Sequence, residues 1–334
     1  LEPLSPEESD VSPQHPADHI DRKIVSVVEQ PLFQNIPLEL PTDRTVYITD
    51  DETGLSKALA QEFSSRNIHA VLLSKQMVSD MVAGQTSVKT AAGLIIVAEN
   101  RMNDERFLKH SFVLAKQLGP DLVDSGETHG ALFATITRLD GAFGFKGRGM
   151  TAPLQGGLAG LAKTASLEWE NVCCRAMDIA PDWNENTQIA KKVVAELLNS
   201  NLNGPVEVGL DSDSRWVLEL TASPYPQGEI NLDPGDVIVI TGGARGVTAS
   251  AACALAKHAK PTLVLMGRSP DPTPEPEWLS ALHEEAVIKK AILENEFGNT
   301  SITPVDLEKS YKKHMANREL INTLDTIKNL GARV

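Results

Sequence analysis

The chain has 334 residues, 41% of them hydrophobic, and a formal net charge of −14 from 31 Lys and Arg against 45 Asp and Glu. This length and apolar content suffice for more than one core, so two domains are expected. The acidic balance speaks against a nucleic-acid partner, whose phosphates need clustered Lys and Arg, and keeps the surface solvated.

Three cysteines, two of them adjacent at Cys173 and Cys174, form neither a disulfide framework nor a metal-ligand spacing. They read as small buried apolar residues in a reducing, cytoplasmic setting, with no metal expected. No run approaches the roughly 18 apolar residues of a membrane helix, and the N-terminus lacks the basic and apolar regions of an export signal. No membrane association is expected.

Residues 1–41, LEPLSPEESDVSPQHPADHIDRKIVSVVEQPLFQNIPLELP, are rich in Pro, Ser and acids with little periodic apolar content, which predicts a linker. A chain that opens on Leu1 rather than Met also reads as a piece of something longer. From Thr45, short apolar runs alternate with helical patterns: TVYIT and then Gly54 to Arg66; AVLLS; AGLIIVAE and then Asp104 to Leu118; GALFATITR and then Pro153 to Trp169; CCRAMDIA and then Glu185 to Asn199. Such alternation predicts βαβ units and a mainly parallel sheet covered on both faces. In the helix from Pro153, the residues Leu154, Leu158, Leu161, Ala165 and Trp169 share one face, while Gly156, Gly157 and Gly160 permit close approach. These read as core positions and not as a site.

Two further strands, PVEVGLD and RWVLELT, joined by SDS, read as a hairpin or edge pair. Pro224, Pro226, Gly228, Pro234 and Gly235 punctuate a boundary, and the pattern restarts with DVIVITGGARGVTASAACALAKHA and PTLVLMGRS. The expected fold is α/β: two successive Rossmann-like lobes, parallel sheets flanked by helices, over residues 42–228 and 229–334.

The restart carries readable chemistry. Strand Val237 to Ile240 runs into Thr241, Gly242 and Gly243, and a helix begins near Gly246. Glycines there let the backbone approach a pyrophosphate, and the helix N-terminus supplies free N–H groups and a positive dipole end. The strand and helix on either side give the glycine pattern its weight. Arg268, after the next strand, stands where an adenosine 2′-phosphate would lie, whereas an NAD site usually places an acid there. The expected cofactor is NADPH, held by Thr241, Gly242, Gly243, Arg245, Gly246, Val247, Arg268 and Ser269.

TGGARGVT followed by LVLMGRS resembles the short-chain dehydrogenase/reductase superfamily, and Thr45 to Val334 resembles the ketoreductase region of multidomain polyketide and polyunsaturated-fatty-acid synthases. Thr248 stands where the superfamily loop usually has its last glycine. The resemblance implies a structural lobe that braces a catalytic lobe, and reduction of a β-ketoacyl thioester to its β-hydroxyacyl form by NADPH. It implies as partners an acyl carrier protein bearing that substrate on phosphopantetheine, and neighbouring synthase domains. The GVT helix start and the long helical insertion after GRSP resemble the polyunsaturated-fatty-acid systems more than modular polyketide ones.

The earlier lobe repeats the frame as ITDDETGL, Ile48 to Leu55. Thr49 and Gly54 match, but Asp50 and Ser56 replace the outer glycines, with Asp51 and Glu52 between them. Three carboxylates facing a pyrophosphate repel it, so this lobe is expected to be degenerate and structural. TAPLQGGLAGLAKTASLEWENVCCRAMDIAP resembles the superfamily stretch that begins YxxxK, and aligned on Gly160 the Tyr position is Thr151 and the Lys position Gln155. Neither can protonate an alkoxide or lower a neighbour's pKa as that pair does.

The three tyrosines, Tyr47, Tyr225 and Tyr311, have no Lys or Asn four residues on. Tyr311 lies in a charged tract, residues 308–334, that reads as a solvated helical insertion. The resemblance places the catalytic Tyr, with Ser and Lys or Asn partners, in later strands. These are therefore expected beyond Val334, which would open the third strand of an incomplete second lobe. The alternative class is a non-catalytic module that organises neighbouring synthase domains.

Overall fold

A computed structural model of the chain describes residues 21–31, 37–88, 90–99, 105–147, 152–199, 204–224, 228, 231–298 and 302–334. It divides into two compact units, Leu1–Tyr225 and Pro226–Val334, each with its own sheet.

In unit 1, strands β1 (Lys23–Glu29), β2 (Thr45–Thr49), β3 (Ala70–Leu73), β4 (Ala91–Val97), β5 (Leu132–Thr137), β6 (Cys173–Ile179), β7 (Glu207–Leu210) and β8 (Arg215–Ala222) lie in the order β1-β8-β7-β6-β5-β4-β2-β3. The run from β7 to β3 is parallel, and β8 pairs antiparallel with both β7 and β1. The central strands are buried along their whole length because both faces are covered; every residue of β4, β5 and β6 is buried. One face, with Ile48, Ile95 and Ile136, packs on α1 (Leu55–Ser65) and α5 (Asn186–Leu198). The other, with Leu94, Ile96 and Phe133, packs on α2 (Lys75–Val82), α3 (Glu105–Thr128) and α4 (Gly156–Glu168).

In unit 1, three elements differ from the sequence expectation. Within the expected linker, KIVSVVE forms β1, whose backbone groups find partners along β8, so residues 23–29 belong to the sheet. Residues 1–20 of that stretch lie outside the described residues. The helix expected to stop at Leu118 continues to Thr128 through Pro120, because Leu118 and Leu122 are both buried and their burial outweighs one missing N–H. Helix α2 was not legible; Ser74 caps it by accepting the Met77 N–H at 3.2 Å, and Met81 anchors it.

In unit 2, β9 (Val237–Thr241) and β10 (Thr262–Met266) pair in parallel and are joined by α6 (Gly246–Ala259). Then come α7 (Glu277–Ser280), α8 (Glu285–Glu296) and α9 (Pro304–Asn329). Arg333 forms a parallel bridge to Thr262, the next position beyond β10. Ile238, Ile240, Leu263 and Leu265 gather with Ala252 and Ala256 of α6 and Ile327 of α9. The opposite side of these strands is open, with Val237 64%, Val239 59% and Met266 56% exposed. Helix α9 is no solvated insertion: its first half packs with α7 and α8 around Ile288 and Ile292, and its second half lies on α6.

Candidate functional site

Each unit carries a strand, a turn and a helix in the same frame, and the turn chemistry decides what each can hold. In unit 1, β2 stands between β3 and β4 at the switch point where open α/β sheets bind ligands. That crevice is filled from within. The Thr49 hydroxyl accepts the Val97 N–H at 2.9 Å and ties β2 to β4. Asp51, 4% exposed, accepts the Ser56 N–H at 3.0 Å and the Thr53 hydroxyl, while Ser56 Oγ donates to the Thr49 carbonyl at 2.8 Å. Burial pushes the Asp51 carboxyl up, but these hydrogen bonds outweigh it and hold the group below its ordinary value. Asp51 thus takes the donor at the start of α1 that a phosphate would take. Lys75 bridges Glu52, at 2.8 Å, and Glu99, at 3.2 Å, joining the turns after β2 and β4.

The turn after β5 is equally closed. Gln155, 1% exposed, accepts the Arg138 N–H at 2.7 Å and donates to the Glu99 carbonyl at 3.0 Å. Asp140 and Asp178, both fully buried, accept backbone N–H groups from Leu139, Ala142, Phe143, Gly144 and Lys146. Where the resemblance sets a Lys, this unit therefore has a structural amide. Thr151, at the Tyr position, lies outside the described residues.

In unit 2 the corresponding turn is open. Gly242 has φ +71° and donates its N–H to the Met266 carbonyl at 2.7 Å. A Cβ there would meet nothing within 4 Å, whereas a Cβ at Gly243 would lie 2.8 Å from side-chain carbons of Ile240 and Leu265. Gly242 thus leaves the turn's outer face clear, and Gly243 lets the turn settle on the strands. Gly242, Arg245, Arg268 and Ser269 line a cleft of about 940 Å³, together with Met266 and Leu320. Arg268 is exposed and makes no hydrogen bond or ion pair with a described residue. Thr241 ends β9, Gly243 faces the sheet, Gly246 opens α6, and Val247 is 88% exposed; these four do not line the cleft.

Glu319 of α9 is the residue that sequence reasoning missed. Its Oε1 accepts the Gly246 N–H at 2.7 Å and its Oε2 accepts Arg245 Nε–H at 2.9 Å. The Gly246 N–H, and then Arg245, hold its carboxyl below the ordinary value. Its one signal in the sequence is an acid beside Leu320, Thr323 and Ile327, which are spaced for burial on one helical stripe. Among the described residues no group of three His, Cys, Asp or Glu could hold a metal ion, and no helix is long and apolar enough to cross a membrane.

The geometry defines a Rossmann-like α/β protein with one nucleotide-type turn closed by its own side chains and a second that has no acid of its own and meets Glu319 from α9. No protein-family model matches the chain. A curated relative, one subunit of the polyunsaturated fatty acid synthase of Thraustochytrium sp., is 25% identical over 359 aligned positions, covering 96% of this chain and 13% of that protein. Among solved structures, A-type ketoreductases from a modular polyketide synthase match with a TM-score of 0.53 at 15% identity, over 94% of this chain and 57% of that one. A multidomain structure with adenylation, ketoreductase and pseudo Asub parts, from a keto acid-selecting NRPS module, gives 0.55 at 14% identity, over 95% and 26%. An A1-type ketoreductase gives 0.51 at 14%, over 94% and 57%. The chain has the fold of these ketoreductases, and in sequence it is similar to part of a polyunsaturated fatty acid synthase subunit. It spans about an eighth of that relative and no more than 57% of the solved chains.

Proposed function

We propose that this chain is the structural lobe and the cofactor-binding part of a cytoplasmic, NADPH-dependent β-ketoacyl reductase within a multidomain polyunsaturated-fatty-acid or polyketide synthase. The observation that carries the reading is the cleft lined by Gly242, an unobstructed left-handed glycine, by Arg245, which precedes α6, and by the exposed Arg268. The relatives named above support the synthase setting.

The residues fit a dinucleotide. Gly242 gives a phosphate room, Arg268 supplies positive charge, and the Gly246 N–H and Arg245, both held by Glu319 in this structure, are the further donors at the helix N-terminus. NADPH, when bound, supplies a hydride to the β-carbonyl carbon. Arg268, with Ser269 beside it, selects the 2′-phosphate through charge-assisted hydrogen bonds. Thr241 and Gly243 fix the shape of the turn.

The alkoxide left by hydride transfer needs a proton. Tyr47 is buried in unit 1, Tyr311 packs within unit 2 with Lys289 Nζ 4.9 Å from its ring centre, and Tyr225 lies outside the described residues. In this reading the proton donor is a Tyr outside these 334 residues, with its Ser and Lys or Asn partners. The substrate is a β-ketoacyl group on the phosphopantetheine of an acyl carrier protein.

Two titrations test the proposal. NADPH binding is measured on this chain and on a chain extended past Val334, and NADPH oxidation is then followed with β-ketoacyl carrier protein. Both are expected to bind, and the extended one alone is expected to oxidise. Absence of both in the extended protein would favour the organising module. Steady substrate-dependent oxidation by the 334-residue chain would mean that the active site has been misplaced.

A further inference from the structure

Both turns have a carboxylate on a backbone N–H at the start of the following helix, Asp51 on Ser56 and Glu319 on Gly246, but they obtain it differently. In unit 1 it comes from the turn itself. Asp51 is 4% exposed and bonds to Ser56 and Thr53 within the same turn, so it cannot leave without unravelling the start of α1. In unit 2 the turn contains no acid, and the carboxylate reaches in from α9, 73 residues along the chain.

Glu319 spends one oxygen on a backbone N–H at a helix N-terminus, at 2.7 Å, and the other on a guanidinium, at 2.9 Å. That is the donor set a phosphate takes at such a site. The pair is also releasable. The Arg245 and Glu319 side chains are 48% and 43% exposed, so water screens their attraction. The helix that carries Glu319 is anchored independently by Leu320 and Ile327, both buried. A rotamer change at Glu319 can empty the site while α9 stays in place.

We infer that Glu319 is a resident phosphate mimic, which must leave the Arg245–Gly246 site before a cofactor phosphate enters and so sets the cofactor affinity of unit 2. The inference rests on the reading of this turn as a phosphate site. A role as a plain helix cap would have the opposite sign: removing the cap would loosen the start of α6 and weaken binding. Removal of a competitor strengthens it.

The test is a fluorescence titration with NADPH of the chain and its Glu319→Gln, Glu319→Ala and Arg245→Ala variants, with thermal melting of each ligand-free protein. Both Glu319 variants are expected to bind NADPH about three- to tenfold more tightly, because an exposed ion pair and one hydrogen bond no longer compete. Ligand-free Glu319→Ala is expected to melt no higher than the parent, so tighter binding cannot come from a stiffer fold. Arg245→Ala is expected to bind more weakly. If Arg245→Ala weakens binding while the Glu319 variants leave it equal or weaker, the mimic is refuted and the cofactor proposal stands. If no variant and no parent chain binds NADPH, the turn is not a phosphate site and both fall together.

Discussion

Replacing Asp51 by Ala measures how far unit 1 has converted a ligand site into structure. The Asp51 carboxylate accepts the Ser56 N–H at 3.0 Å and the Thr53 hydroxyl, and Ser56 is fully buried. Its removal deletes a charge-assisted cap and so orphans a buried N–H, which costs about 1–3 kcal/mol, and it also takes away the acceptor of the Thr53 hydroxyl, for about 1 kcal/mol more. Part of this is offset, because a mostly buried carboxylate no longer has to be desolvated. A net loss of about 2–3 kcal/mol results, which lowers the melting point of a unit this size by roughly 4–12 °C. Asp51→Asn keeps an acceptor for the Ser56 N–H and is expected to cost about half as much. Urea and thermal unfolding followed by tryptophan emission check this, since Trp169, Trp183 and Trp216 report on unit 1 and Trp278 on unit 2. An unchanged transition in Asp51→Ala would refute the view that this acid is a built-in cap.

Gly242→Asp copies Asp50 of unit 1 into unit 2. No neighbouring atom obstructs a side chain there, and at φ +71° Asp is strained less than most residues, so the fold survives at a small cost in stability while repulsion of about 3–4 kcal/mol lowers NADPH affinity by more than about a hundredfold in an equilibrium titration. Arg268→Ala is expected to cost NADPH about 1.5–3 kcal/mol and to leave NADH nearly untouched; an equal loss for both would make Arg268 structural. Asp211 gives a pH test. Burial pushes its carboxyl up, but hydrogen bonds from Trp216, Ser214, Asp213 and Lys146 bring it down to about 2 from 3.8. The unfolded chain therefore takes up this proton first, so the stabilisation is complete above about pH 4 and is lost as pH falls towards 2. Asp211→Asn is expected to flatten that acid limb in pH-dependent melting of unit 1.

The order of elements and the two turn frames were legible because they are written in local spacing. An apolar run of four to seven residues followed by a 3.6-residue stripe specifies strand and helix without reference to distant parts of the chain. The acids of ITDDETGL and the glycines of TGGARGVT likewise state locally which turn carries a carboxylate of its own. Tertiary structure decided the rest. KIVSVVE becomes a strand because β8 presents its backbone groups almost two hundred residues later, with Ser26 and Thr221 in hydrogen-bond contact 195 positions apart. Helix α3 runs through Pro120 because the sheet buries Leu118 and Leu122 on either side of it. Glu319 meets Gly246 across 73 residues because α9 returns along α6, and no periodicity within a single helix records which charged residue its far neighbour will hold. Hydrogen bonds and burial between distant segments depend on the path of the whole chain, whereas propensity and periodicity are properties of a few consecutive residues.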